Sequence, residues 1–194
     1  MRPIYLASRS SRRAEILQQL GVNFRVLPSD IDESLCRDET PDAYVLRLAA
    51  SKAAACDGML RDQAMEIRPI LAADTAVSID GLILGKPVDD DDAHNMLRRM
   101  SGRWHEVHTG LAVATQQGVS TALSTTRVKM AELTDETIHA YVASGEPQDK
   151  AGAYGIQGMA GIFIERIEGS YTGVMGLPVY ETAMLLKNAG IRIL

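Results

Sequence analysis

An apolar run, Ile4–Ala7, passes without a linker into Ser8-Arg9-Ser10-Ser11-Arg12-Arg13, and an amphipathic stretch follows at once. Strand, small hydroxyl-rich turn, then helix: this order constrains the chain to begin with a β–α unit. It also predicts an anion pocket. The first backbone N–H groups of a helix lack internal partners, and the helix dipole makes that end positive. Three arginines in six residues add fixed charge with the fork geometry that suits phosphate. Arginine at a helix N-terminus is disfavoured by the dipole, so two of them there imply a use other than helix stability. A solvated basic helix start is the plainer reading of such a turn.

The bulk numbers bound the rest. A chain of 194 residues with 46% hydrophobic content fits one globular domain, residues 1–194, with a sizeable core. A net charge of −5 argues against the broad basic surface that nucleic acid or an anionic membrane would need. A small anion held in a local basic pocket remains compatible. Cys36 and Cys56 lie far apart and outside any CxxC pattern, so neither a disulfide framework nor a zinc site is expected. Ile4–Ala7 is too short for a signal peptide, and no window reaches the length of a membrane span. The expectation is a soluble, cytoplasmic protein.

Along the chain, Ile4–Ser8 reads as a buried strand and Ser11–Leu20 as a helix stopped by Gly21. Asn23–Leu27 alternates as a second strand, and Pro28–Glu39 is an acidic loop. Thr40-Pro41 opens a long helix, with Thr as the cap and Pro at the first helical position. Ile70–Ile79 reads as a strand interrupted at Ala73-Asp74-Thr75. Asp80-Gly81 is a two-residue hairpin signal, and Leu82–Leu84 returns. Four aspartates, Asp89–Asp92, fit the negatively charged start of a helix running through Met100. Two alternating strands, Arg103–Ala114 and Val119–Met130, flank Gln116-Gln117-Gly118. A helix over Thr134–Ser144, a glycine-dense loop, a strand over Ile162–Ile167 and a helix over Pro178–Asn188 complete the order. The mixture predicts an α/β or α+β fold.

Several residues carry possible chemistry. Asp74 interrupts the apolar segment ILAADTAV. An unpaired buried carboxylate is costly, so it must face a polar cleft, a cation or a hydrogen-bond network. A loop-capping aspartate is the bland alternative to a general base or metal ligand. Asp30, Asp32 and Glu33 form an acidic cluster of the kind that holds Mg²⁺ or Mn²⁺ beside phosphate, or that is merely solvated. Lys52 and Lys86 are each surface residues when read alone; with the arginine turn they supply enough charge for a triphosphate. Gln157, in the loop Asp149–Gly158, has both donor and acceptor for the edge of a base. His105 and His108 are three apart in a strand and so point to opposite faces. No GxSxG, Walker A or Rossmann glycine pattern stands in the required context.

The segments LASRSSRRAEIL, DIDE, RLAASKA, AADTAV, ILGKP, MLRRMSGRWHEVHTG, YVASGEPQDKAGAYGIQG and GLPVYET occur in this order. From Ser8 to about Leu186 the chain thereby resembles the Maf family of nucleoside triphosphate pyrophosphatases. The family's serine-proline-arginine turn appears as Ser10-Ser11-Arg12, without the proline. The resemblance implies an α/β fold, similar to inosine triphosphate pyrophosphatase. It has a long mixed sheet flanked by helices and two lobes around a deep cleft. It implies cleavage between the α- and β-phosphates, with Asp74 as the catalytic aspartate. It further implies that Ser8, Arg13, Glu33, Lys52 and Lys86 serve phosphate or metal, with Glu33 and Asp74 holding a divalent Mg or Mn cation. Three positions, Arg12, Thr75 and Gln157, match the branch acting on dTTP and UTP, modified pyrimidine nucleotides included, rather than the 7-methyl-GTP branch with Trp, Gln and Glu. By the same analogy the partners are the nucleotide and a second copy of the chain in a homodimer. A nucleotide-binding regulator of cell division or septum formation is the alternative, and a plain phosphatase a third reading.

Overall fold

The computed structural model describes residues 3–193. Among these, seven strands form one mixed sheet: β1 (Ile4–Leu6), β2 (Phe24–Val26), β3 (Ile70–Ile79), β4 (Leu82–Leu84), β5 (Trp104–Thr115), β6 (Gly118–Met130) and β7 (Ile164–Glu168). The order is β2-β1-β3-β5-β6-β7, with β4 paired to β3. β1 pairs in parallel with β2 and β3, and every other ladder is antiparallel. The helices are α1 (Ser11–Gln19), α2 (Pro41–Asp62), α3 (Asp90–Met100), α4 (Asp135–Ala143), α5 (Tyr171–Val174) and α6 (Val179–Asn188). The expected mixed sheet flanked by helices is therefore the architecture observed.

Local signals set the helix starts. The Thr40 hydroxyl accepts from Ala43 N–H at 3.3 Å, and the Thr134 hydroxyl accepts from Thr137 N–H at 3.2 Å, satisfying N-terminal donors that have no helical partner. At α3, Asp89 accepts from Asp92 N–H and Asp92 accepts from Val88 N–H. The aspartate run is thus a helix cap and first turn. Asp80 and Gly81 have φ of 53° and 75°, the two left-handed positions of the tight hairpin turn that joins β3 to β4.

Strand alternation divides the core between the two faces of the sheet. On one face Ile70 and Ala72 of β3 and Ala112 and Ala114 of β5 meet Ala49, Ala53, Cys56 and Leu60 of α2. On the other, Leu71, Ala73 and Val77 join Leu111 and Val113 under residues of α1, α3, α4 and α6. The α2 contact is unusually close. A Cβ at Gly110 of β5 would lie 2.5 Å from the Val45 carbonyl carbon and 2.8 Å from Leu46 N. Both are helix backbone that a side-chain rotation cannot move. Alanine strips on the sheet and on α2 extend the same close packing along the helix.

Two expectations are corrected. β3 is continuous from Ile70 to Ile79 and does not break at Ala73-Asp74-Thr75; Asp74 and Thr75 stay in register with Gly110 and Thr109. The last strand starts at Ile164, because Met159–Phe163 forms a 3₁₀ turn. The glycine-dense segment has local structure of its own. It folds as short 3₁₀ pieces, Glu146–Asp149 and Ala151–Ala153, with Ala153 and Tyr154 buried.

His105 and His108 do point to opposite faces. His108 bonds Asp42 Oδ1 at 2.6 Å and Ser78 Oγ at 2.8 Å on the α2 side. His105 Nε2 lies 2.7 Å from the Tyr154 hydroxyl, while its Nδ1 is buried without a partner among the described residues. Burial pushes the His105 pKa down from 6.5 to about 4. A depressed histidine pKa leaves stability intact above the unfolded-state value and removes it as pH falls from there toward the folded-state value.

Two outcomes follow from this packing. Gly110→Ala is expected to lower stability by about 1–3 kcal/mol, the range for overpacking, and to lower activity by lifting α2; urea denaturation and turnover measure each. Between pH 7 and pH 5 His105 accounts for a loss of about 2 kcal/mol. Urea melts of His105→Gln at the two pH values are expected to show the pH dependence reduced by that amount.

Candidate active site

The cleft forms where β3 lacks a neighbour on one edge. β1 pairs with Ile70 and Leu71, and β4 with Val77 to Ile79. Residues 72–76 between them are paired only toward β5. A crevice beyond the carboxyl end of a parallel strand is the usual ligand position in open α/β sheets. Here it is a cavity of about 760 Å³, and all nine residues singled out from the sequence line it: Ser8, Arg12, Arg13, Glu33, Lys52, Asp74, Thr75, Lys86 and Gln157. Asp74 and Thr75 reach it from opposite faces of one strand, which the open edge permits.

The basic turn follows β1 directly. Ser10 caps α1, accepting from Arg13 N–H at 3.4 Å. The Arg13 side chain is sunk into the structure. Its Nε donates to Gly176 O at 2.8 Å, Nη1 to Ser8 Oγ at 3.2 Å and Nη2 to Thr75 Oγ1 at 3.0 Å. Burial lowers its pKa, with the Asp74 charge acting in the opposite direction. Arg13 therefore ties the turn to β3 and to the segment after α5. Arg12 lines the cleft without such an anchor. Arg9 pairs with Asp30 at 2.8 Å, and both side chains are exposed.

Opposite stand the carboxylates. Lys52 Nζ of α2 lies 2.6 Å from Asp74 Oδ1 and 2.7 Å from Glu33 Oε1. Burial pushes the Asp74 carboxyl above the ordinary aspartate range; Lys52 and Arg13 pull it down without cancelling that effect. The result is a carboxylate of raised basicity, desolvated but close to a cation. The acidic loop cluster separates by role: Asp30 goes to Arg9, Asp32 accepts from Ser34 N–H at 2.9 Å, and Glu33 alone reaches Lys52.

Sequence reasoning missed what fixes that loop. Arg47 of α2 donates to Glu39 Oε1 at 2.6 Å, to Glu39 Oε2 at 2.7 Å and to Ser34 O at 3.0 Å. Its guanidinium stands 5.6 Å from the centre of the Tyr44 ring. The Tyr44 hydroxyl donates to Glu33 O at 3.0 Å. Its pKa is pushed up to about 12 by burial and by the Asp74 and Glu33 charges, so it remains a donor. Only the i, i+3 spacing of Tyr44 and Arg47 hinted at the pair. Across the cleft, Glu146 accepts from Met159 N–H at 2.9 Å and Tyr141 OH at 2.9 Å, bracing the segment that carries Gln157.

No three His, Cys, Asp or Glu side chains among the described residues group as a closed metal cage. Mg²⁺ does not require one, since it commonly takes one or two carboxylates and completes its shell with water and substrate phosphate. Glu33 and Asp74 already share one cation, the Lys52 ammonium. Carboxylate oxygens of this kind are the donor type that a hard divalent ion takes.

Known proteins bear on this geometry. The model of the family described as Maf-like protein matches residues 3–189. A Methylobacillus flagellatus protein named dTTP/UTP pyrophosphatase is 62% identical, covering 100% of this chain and 96% of its own. A Chromobacterium violaceum protein of the same name is 54% identical, covering 98% and 96%. Among solved structures, the Staphylococcus aureus Ham1 protein aligns with a TM-score of 0.49 and 13% identity, over 68% of this chain and 73% of that one. With a family model spanning nearly its whole length and relatives this similar end to end, the chain belongs to the Maf family.

Proposed function

We propose that the protein is a divalent-metal-dependent nucleoside triphosphate pyrophosphatase that hydrolyses dTTP and UTP to the monophosphate and pyrophosphate. The observation that carries this reading is Asp74: a buried carboxylate of raised pKa on the open edge of β3, in a cleft lined by Arg12, Arg13, Lys52 and Lys86. The shared name of the two relatives supports the substrate and the bond cleaved.

In this reading Asp74 orients the attacking water and takes its proton. Its place on the open edge of β3, 2.6 Å from the Lys52 ammonium, suits it to that task. Lys52 holds the Asp74 carboxylate in place from α2, and Glu33 is brought to the same point by Tyr44 and Arg47. Glu33 and Asp74 would hold a Mg²⁺ or Mn²⁺, which would supply neutralisation of the phosphate oxygens. Arg13, Lys86 and the start of α1 stabilise charge on the departing pyrophosphate, with Ser8 fixing the Arg13 fork. Arg12, Thr75 and Gln157 meet the pyrimidine edge.

A nucleotide panel with separate detection of pyrophosphate and inorganic phosphate tests this. dTTP and UTP are expected to release pyrophosphate and to outrun 7-methyl-GTP; release of inorganic phosphate instead would refute the assignment. Asp74→Asn is expected to lower turnover by at least about 10²-fold, the scale for removing one preorganised catalytic contact, with an unchanged circular dichroism spectrum. Near-wild-type pyrophosphate release by that variant would show that Asp74 is not the base.

A further inference from the structure

Thr75 is joined to a residue that the proposed reaction does not use. Thr109 of β5 stands opposite Thr75 in the β3–β5 ladder and is fully buried. Its hydroxyl donates to the carbonyl oxygen of Gly173, in α5, at 2.8 Å. The two threonine hydroxyls lie 3.0 Å apart, and Arg13 Nη2 donates to Thr75 Oγ1 at 3.0 Å.

Hydrogen-bond accounting then fixes the direction of the relay. A hydroxyl has one proton and two lone pairs. A carbonyl oxygen can only accept, so the Thr109 proton is spent on Gly173. The Thr75–Thr109 bond must therefore use the Thr75 proton. A guanidinium can only donate, so Arg13 occupies one Thr75 lone pair. What remains on Thr75, which is partly exposed in the cleft, is a single acceptor.

We infer that Thr109 is a positioning residue for base selection: it holds the Thr75 proton away from the cleft, so that Thr75 can only accept there, from the imide N3–H of uracil or thymine. The inference rests on the reading above, in which Thr75 meets the pyrimidine edge. Uracil and thymine have one donor on that edge, N3–H, between the acceptors O2 and O4. Cytosine has a bare N3 at the same position. In the same pose it sets acceptor against acceptor, leaving both groups unpaired in a desolvated site, the arrangement that discriminates most strongly. Arg12, a donor alone, suits a flanking carbonyl, and Gln157 can serve either partner.

The test compares UTP with CTP by kcat/KM for pyrophosphate release, in the wild type, Thr109→Val and Thr109→Ser. Valine keeps the shape of Thr109 and frees the Thr75 proton to turn toward the base. The wild type is expected to prefer UTP. In Thr109→Val the UTP:CTP ratio is expected to fall by about ten-fold or more, the scale of one buried unpaired group, through a relative gain on CTP. Thr109→Ser, which keeps the hydroxyl, is expected to retain the wild-type ratio. A merely structural role lowers both substrates together and leaves the ratio unmoved, and that result in a folded Thr109→Val protein would overturn the inference. If Thr109→Val does not fold, Thr109→Ala, which also removes the hydroxyl, carries the test: the UTP:CTP ratio is expected to fall as for valine, and an unmoved ratio overturns the inference. A wild type that hydrolyses UTP and CTP equally removes this inference but not the proposed activity. A wild type that releases pyrophosphate from no pyrimidine triphosphate removes the activity itself.

Discussion

The contact between Lys52 and Asp74 depends on how closely α2 lies on the sheet. The ammonium and the carboxylate are 2.6 Å apart, and α2 meets the sheet backbone to backbone at Gly110 of β5, the residue paired with Asp74. Burying a carboxylate and an ammonium away from water is unfavourable unless each finds a partner of good geometry. The alanines and the glycine under α2 provide that geometry by removing the side-chain thickness that normally separates helix from sheet. The same approach lets Tyr44 and Arg47, earlier on the helix, hold the acidic loop. One packing choice thus sets the position of Lys52, Asp74 and Glu33 together.

The second constraint is the missing strand neighbour. A continuous sheet would send Asp74 and Thr75 to opposite faces, with no space in common. β1 ends at Leu6 and β4 starts pairing at Val77, so the β3 edge between them opens into the cleft. Asp74 belongs to the α2 side and meets the carboxylate and lysine cluster. Thr75 belongs to the opposite side and meets Arg13, Thr109 and Gly176. Asp74 and Thr75 are therefore adjacent residues of one strand that rest on separate supports, and the proposed proton chemistry and base selection divide between them.

How much of this was legible in the chain depends on the range of each interaction. Thr40-Pro41, the Asp89–Asp92 run and Asp80-Gly81 announced a helix start, a cap and a tight turn correctly, because each acts within a few residues. Asp74 was read as a break in the strand for the opposite reason. Its partner Lys52 lies 22 positions earlier, and without that partner a carboxylate in an apolar strand looks like an interruption. The Arg47–Glu39 clamp spans eight positions and a change of element, and it left no periodic trace. α5 has four residues, too few for a hydrophobic pattern to emerge. Of the nine cleft residues, the arginine turn, Asp74 and Gln157 stand out in the residues themselves, whereas a role for Thr75 comes only from resemblance to a family; read singly, Glu33, Lys52 and Lys86 are ordinary surface charges.

The arginine turn shows what geometry adds to such a list. In the sequence, Arg12 and Arg13 are two adjacent cations at a helix start where the dipole favours neither. In the fold they differ completely. Arg13 spends donors on Gly176, Ser8 and Thr75, so its charge is held rigidly and its fork is part of the cleft wall. Arg12 keeps its donors for the cleft. Because Arg13 also claims a lone pair of Thr75, the basic turn and β3 are not independent. The group that anchors the basic turn also fixes, through Thr75 and Thr109, which hydrogen-bonding capacity β3 offers to the cleft. On the proposed reading of Thr75, selection of the base shares the hydroxyl relay that anchors the basic turn, with Arg12 and Gln157 completing the edge.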